Sequence, residues 1–350
     1  MDLDGLIEEL ARREEEKAEE AERIRKEAGT TLFDSENVHE ESFIHGVEPS
    51  SLAGTAVAGV DGGMVRKEYR GVDILFTRAV AAVFEHGRES LESSSYVPGK
   101  NPSPRIEFLM DNLNRRQVDR ISSLQRLEDE IGTAVEVAPE TDFLLLDGSV
   151  LPQSMDRPSG NGEAGDRYGE VTEVYGELYD ACEREGTVLA GVVEDSRSSV
   201  ACNALKDSGF SSQVLESGRD TTVLGHLLET GERTLVMDYA DADEHPVLND
   251  FEGRMDEFYT FYLKTVENDL PVKVDFHAVE EPVHTAEKIA SLLMALSGSG
   301  RSYGIPPVLI EADQRAKIEG HELETLLKRI RSRTAHLPGL EDLRRDQRPF

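Results

Sequence analysis

Four carboxylates in this chain end or flank apolar runs. Asp61 follows Val57-Ala58-Gly59-Val60, and Asp147 follows Phe143-Leu144-Leu145-Leu146. Asp313 follows Val308-Leu309-Ile310-Glu311-Ala312, and Glu128 lies beside the apolar stripe of a predicted helix. Burying a carboxylate among apolar side chains is unfavourable unless it meets a cation, a metal ion or several donors. Gly62 and Gly63 follow Asp61 and let the backbone turn sharply or approach a ligand without an intervening Cβ. Taken alone, Asp-Gly-Gly also fits a hairpin turn; the recurrence of the pattern favours a site. Donors that are all oxygen select hard cations, Mg2+ or Mn2+. Two or three carboxylates, with water and phosphate completing the shell, suit phosphodiester hydrolysis, in which one ion generates hydroxide and a second stabilises the leaving oxygen. No GxSxG, Cys/His pair or HExxH is present, and the nine histidines show no metal-ligand spacing.

The elements that must position these groups are read from periodicity. Residues 2–28 predict one charged helix with a narrow stripe of Leu3, Leu6, Ile7 and Leu10, and 29–50 an acidic connector. Residues 55–61, 70–76 and 78–85 predict three consecutive strands, the last two as apolar as strands covered on both faces. A polar loop at 88–104 leads into helical sequence from about 105 to 136, where Ile121, Leu124, Leu127 and Ile131 recur at spacings of three and four. Glu128 lies next to that face and Asp129 and Glu130 point elsewhere; Glu107 and Glu130 are the alternatives to Glu128 as the acid of this segment. Strands at 143–147 and 188–193, the latter ending in Glu194-Asp195-Ser196-Arg197, flank a mobile loop at 152–167 and a helix near 168–185. Beyond a short helix and a helix over Asp220–Leu228 come strands at 233–238, 257–263 and 271–276 and a helix at 284–297. An apolar run ending in acid, 308–313, and a helix at 320–333 complete the pattern.

Buried strands that end in acid place one site along a sheet edge, as in open α/β sheets. Three meandering strands, a helix and a fourth strand, with acids on the first strand, the helix and the fourth strand, form the ribonuclease H-like arrangement. The expected fold is therefore α/β: a ribonuclease H-like mixed sheet flanked by helices, with an N-terminal charged helix. The expected division is 1–50 for the helix and acidic linker, 51–335 for the main domain and 336–350 for a charged tail.

Composition constrains the setting. The net charge is -32, from 70 acidic and 38 basic residues, and 28 of the basic residues are Arg against 10 Lys. Such an acidic, lysine-poor surface suits a halophile, where salt relieves self-repulsion. At molar salt the Debye length falls to about 3 Å, so net charge does not exclude an enzyme of nucleic acids. Cys182 and Cys202 lack any paired spacing and read as buried thiols of an intracellular protein. The acidic amino terminus is no signal peptide and no apolar run approaches about 18 residues, so a soluble, cytoplasmic protein is expected.

Val60-Asp61-Gly62-Gly63, Arg126-Leu127-Glu128 and Leu145-Leu146-Asp147-Gly148-Ser149-Val150-Leu151 resemble the NurA nuclease family of archaea and bacteria. Gly191 to Ser198, Phe261-Tyr262-Leu263-Lys264 and Tyr303 to Ile318 extend the likeness over residues from about 55 to 320. The resemblance implies a ribonuclease H-like homodimer with Mn2+- (or Mg2+-) dependent 5′-to-3′ exonuclease and single-strand endonuclease action on DNA ends. It also implies partnership with a HerA-type hexameric ATPase in resecting broken DNA. By position it implies Asp61, Glu128 and Asp147 as metal-binding and catalytic residues, with Asp313 as a fourth. Many members have Ala-His where this chain has Ala312-Asp313, so an imidazole's acid/base work is lost there. Glu194 likewise stands where many members carry Lys. Arg66, Arg197 and Tyr262 are the expected DNA contacts, although Arg197 suits a structural carboxylate equally and Tyr262 sits in an aromatic cluster that fits a core. Two other classes remain open: a non-catalytic docking subunit of a DNA-translocating ATPase, and an actin-like kinase, which lacks a second glycine-rich phosphate loop.

Overall fold

A computed structural model describes residues 3–88, 90–110, 113–160, 162–240, 245–297, 301–334 and 340–341. In chain order the first elements are α1 (Leu3–Ala28), β1 (Ile44–Gly46), β2 (Ala56–Glu68), β3 (Val72–His86), β4 (Leu91–Val97) and β5 (Arg105–Met110). Then come α2 (Arg115–Val137), β6 (Phe143–Asp147), α3 (Glu163–Glu185), β7 (Val188–Val193), α4 (Val200–Asp207), α5 (Gln213–Ser217) and α6 (Asp220–Leu227). The chain continues with β8 (Glu232–Thr234), β9 (Met237–Asp238), β10 (Phe258–Lys264), β11 (Val272–His277), α7 (Pro282–Ser297), α8 (Pro307–Ala316) and α9 (Gly320–Thr334). These elements divide into two compact units: one of residues 1–53, 148–150 and 188–307, the other of 54–147, 151–187 and 308–350.

The second unit carries the mixed sheet. β2 and β3 form a long antiparallel pair in which Val60 faces Ala81 and Asp61 faces Val80. β4 and β5 share the far edge of β3, and β6 runs parallel to β2 from Val57↔Phe143 to Val60↔Leu146. The order is four strands, a helix and a further strand, and it matches the expected α/β fold with a mixed sheet flanked by helices. Both faces of β2 are covered, which is why Val57 to Asp61 is almost continuously apolar and buried. α2 packs on β2 and β3 and also against α3. Its start is fixed by a capping box, in which Asn114 accepts from the Gln117 amide and Gln117 accepts from the Asn114 amide. On the opposite face Ile74 and Phe76 pack with Ile318 and Leu327 from the α8–α9 region.

Several elements differ from the sequence reading. The two strands expected at 70–76 and 78–85 are one strand, β3, and the expected loop at 88–104 contains β4. Residues 105–110, read as the start of a helix, form the edge strand β5, whose Ile106 and Phe108 are exposed. The run at 308–313 is helical. Pro307 opens α8, where its lack of an N–H is harmless, and Val308, Leu309, Ala312 and Ala316 then recur on one buried helical face. Residues 298–300 and the tail from 342 lie outside the described residues.

In the first unit β1, β8, β10, β11 and β7 are joined antiparallel, with β9 also on β10. Only the C-terminal half of α1 is held in its core, through Ala21, Ile24 and Ala28, which pack with Phe33, Phe43, α4 and α6. Leu3, Leu6, Ile7 and Leu10 of the predicted stripe are exposed. Among the described residues no helix is long and apolar enough to cross a membrane.

Candidate metal centre

The site is built where a parallel partner stops. β6 accompanies β2 only as far as Val60↔Leu146, so Asp61 and Asp147 follow on neighbouring strands, about 4.8 Å apart in strand spacing; Asp147 ends β6, whereas the strand expected to stop at Asp61 runs on to Glu68, carried by its pairing with β3. Beyond Asp147, Gly148 adopts φ 126°, a conformation that favours glycine, and its N–H donates to Val192 O at 3.0 Å. The glycine after Asp147 is thus favoured by the turn, whatever the chemistry.

Glycines bring helices onto β2 at backbone distance. Gly59, Asp61 and Gly63 alternate onto one face. A Cβ at Gly59 would lie 2.7 Å from Val308 O, and one at Gly63 would lie closer still to Ala316 O. Both ends of α8 therefore rest against β2, and Asp313 between them acts electrostatically on Asp61. Gly62 points to the other face, where a Cβ would meet Glu130 Oε2 at 2.9 Å and Arg126 Cγ at 3.1 Å. The sequence suggests ligand approach as one use of these glycines; what approaches here is the protein's own α8 and α2.

Glu130, the alternative to Glu128 on α2, is the acid that lies over Gly62 of β2. Its side chain is 4% exposed and accepts from Arg126 Nη1 at 2.6 Å. Burial pushes its carboxyl up to about 8; Arg126 opposes that shift, and Asp61 and Asp147 add to it. Asp61 is also raised, chiefly by burial and further by Asp313, against the Gly62 N–H, which donates to its Oδ1 at 2.7 Å, and Arg126. Asp147 is half-buried and Asp313 exposed.

The remaining predicted residues go elsewhere. Glu128 is half-buried, accepts from Gln125 Nε2 at 2.9 Å, and lines a separate cavity of about 340 Å3 with Arg105, Asp129 and Glu136. The cause is that α2 buries two faces, one on the sheet and one on α3, so its buried arc extends past the four-residue stripe to include Gln125 and Glu130. Glu107, the other alternative, pairs with Arg167. Arg66 is committed to Asp119 at 2.5 Å and Glu68 at 2.8 Å. Tyr262 is wholly buried, and its hydroxyl donates to Asp220 at 2.7 Å, so it is a core residue. Arg197 is exposed after β7 and makes no side-chain ion pair or hydrogen bond among the described residues. The signals that identify Glu130 are an Arg–Glu pair at i, i+4 and a glycine opposite it on β2.

The donor set is of the oxygen-only kind that suits a hard cation, although its carboxylate oxygens do not all lie within 4.8 Å of one another. The charges of Asp61 and Asp147 raise the Glu130 carboxyl further above the level set by burial, and the Arg126 guanidinium opposes them. An oxygen-only cluster with surplus negative charge is what a divalent ion relieves.

A family model described as the NurA domain matches residues 55–318. Among solved structures the chain is similar to the NurA nuclease from Sulfolobus solfataricus, at 14% identity over 96% of this chain and 95% of that one, with a TM-score of 0.60. A NurA bound to dAMP and manganese shares 12% identity over 94% of this chain and 96% of that one, with a TM-score of 0.55. No curated protein matches the chain.

Proposed function

The chain belongs to the NurA domain family, and from that premise we propose that it is a metal-dependent DNA nuclease whose centre is formed by Asp61, Glu130 and Asp147. What supports this reading is the placing of Asp61 and Asp147 on adjacent strands where β6 leaves β2, with Glu130 over Gly62 and under the charge of both. Asp61 from within β2 and Asp147 from the end of β6 would hold the ion, with Glu130 completing the set from α2 and Asp313 flanking Asp61. A bound divalent ion supplies an electrophile for phosphate oxygens and lowers the pKa of a water at neutral pH. Mn2+, named in a comparison structure, is the ion proposed for this chain, with Mg2+ the competitor.

The protein's own contribution is positional. The turn at Gly148 fixes Asp147, the Gly62 N–H orients Asp61, and α2 excludes water from Glu130. Hydrolysis joins a water oxygen to phosphorus, breaks the bond to the leaving nucleoside oxygen, and passes the water's proton to that oxygen. With no imidazole at position 313, an ionised carboxylate of the set is the available proton acceptor.

The finer reading is 5′-to-3′ digestion of DNA ends with single-strand endonuclease action, in a cytoplasmic, salt-adapted archaeal homodimer acting with a HerA-type ATPase in end resection. The exposed Leu3, Leu6, Ile7 and Leu10 stripe is the surface proposed for that partner. The test is digestion of end-labelled linear DNA in molar KCl, with Mn2+ or EDTA, comparing wild type and Asp147→Asn. Mn2+-dependent release of label that disappears in the variant is expected. No release by wild type, even with the ATPase present, would replace the nuclease with the docking-subunit reading.

A further inference from the structure

We propose that Arg126 is a phosphate-binding residue of this centre, donating to a non-bridging oxygen of the phosphodiester under attack. This deepens the nuclease reading and rests on it. Arg126 is anchored at one point: Nη1 donates to Glu130 Oε2 at 2.6 Å and to Gly62 O at 3.2 Å. Those are its only hydrogen bonds among the described residues, so Nε–H and the Nη2 hydrogens are left undonated. The side chain is 27% exposed, so these donors are not sealed in the core.

Several other part-buried guanidinium groups of this chain engage through two nitrogens. Arg233 grips Glu40 through both Nη1 and Nη2, at 2.6 and 2.8 Å. Arg66 divides its nitrogens between Asp119 and Glu68, and Arg167 between Gln125 and Glu107. Arg126 withholds its fork from Glu130 although Glu130 is one helical turn away. The fork matches two phosphate oxygens in spacing and planarity. Its field also reaches Asp61, so the guanidinium stands near one of the proposed metal ligands. Helix α2 fixes its position before substrate arrives, which is how a donor stabilises developing charge without reorganising.

The test uses the full chain carrying Arg126→Gln, Arg126→Lys or Arg126→Ala, with thermal melts to show that each is folded. On end-labelled single-stranded DNA the expected fall in kcat for Arg126→Gln is about 10²–10³-fold, with KM changed much less. Titration calorimetry of Mn2+ without DNA should show affinity retained or tightened, because a cation beside the ligands has been removed. Arg126→Lys should recover part of kcat, and guanidinium ion added to the assay should rescue Arg126→Ala but not Asp147→Asn. A loss of Mn2+ affinity parallel to the loss of kcat, or no guanidinium rescue, would overturn the proposal in favour of a ligand-organising role. If wild type cleaves no DNA, the nuclease reading has failed. Arg126 is then judged by calorimetry of thymidine 5′-monophosphate with Mn2+. Weaker binding to Arg126→Gln by tenfold or more would support the phosphate role, and equal binding would refute it.

Discussion

Replacing Glu130 with Gln should change how stability depends on pH, and the sign follows from burial. The carboxyl ordinarily titrates at 4.5 and is pushed up to about 8 in the fold. Between those values the folded protein keeps a proton that the unfolded chain has released, so unfolding gains ground as pH rises. The unpenalised stability is present below about pH 4.5 and is lost as pH climbs through 8. At about 1.4 kcal/mol per pH unit the whole interval corresponds to at most about 5 kcal/mol. The carboxamide of Glu130→Gln has the shape of the protonated acid and nothing to ionise. In EDTA and molar KCl the melting curves of wild type and Glu130→Gln should therefore converge at about pH 5 and separate by about pH 8.5, with the variant more stable. For a unit of this size each kcal/mol moves the midpoint by about 2–4 °C. The salt should leave the effect largely intact, because a side chain only 4% exposed is poorly screened. Mn2+ provides a second readout: the ion needs the ionised group, so its apparent affinity should rise with pH towards about 8 in wild type and stay nearly flat in the variant. Parallel pH slopes in the two proteins would refute the placement of Glu130 in the cluster.

Other substitutions test separate parts of the structure. Gly63→Ala drives a Cβ into Ala316 O, so α8 must shift; a loss of about 1–3 kcal/mol and weaker Mn2+ binding are expected by chemical denaturation and calorimetry. Tyr262→Phe removes the hydroxyl that donates to buried Asp220, which also accepts from the Ala201 and Cys202 amides. It should lower stability by about 1–3 kcal/mol while DNA binding by the folded fraction is unchanged, and a selective loss of DNA affinity would restore Tyr262 as a contact. The pair Leu6→Asp and Leu10→Asp alters exposed positions only, so the melting temperature should hold within about 1–2 °C while co-sedimentation with the ATPase is lost.

The strand-end acids are legible in the sequence because a short apolar run that stops at Asp-Gly has few other uses. Asp147 does end β6, but Asp61 stands within β2, because pairing with β3 carries that strand through the two glycines to Glu68. Glu130 is not legible from the stripe of Ile121, Leu124, Leu127 and Ile131, since that stripe reports one buried face and α2 has two. α8 imitates a strand because Val308 to Ala312 is too short for periodicity to separate the two, and the prolines before it read as breakers rather than as a helix start. β4 and β5 are hidden because edge strands lack alternation when neither face is fully covered: Leu91, Ile106 and Phe108 are all exposed. The partners of Arg66 are invisible for another reason, as Asp119 is 53 residues away in sequence.

The contact of α8 with β2 through Gly59 and Gly63 has a genetic consequence. In both places the atoms that a new Cβ would strike belong to main chain, Val308 O and Ala316 O. No smaller side chain elsewhere can make room for them. A strain carrying alanine at either glycine should therefore yield few local revertants other than true ones. Compensating changes should map to the segments on either side of α8, where loop residues can let the whole helix move away and carry Asp313 with it.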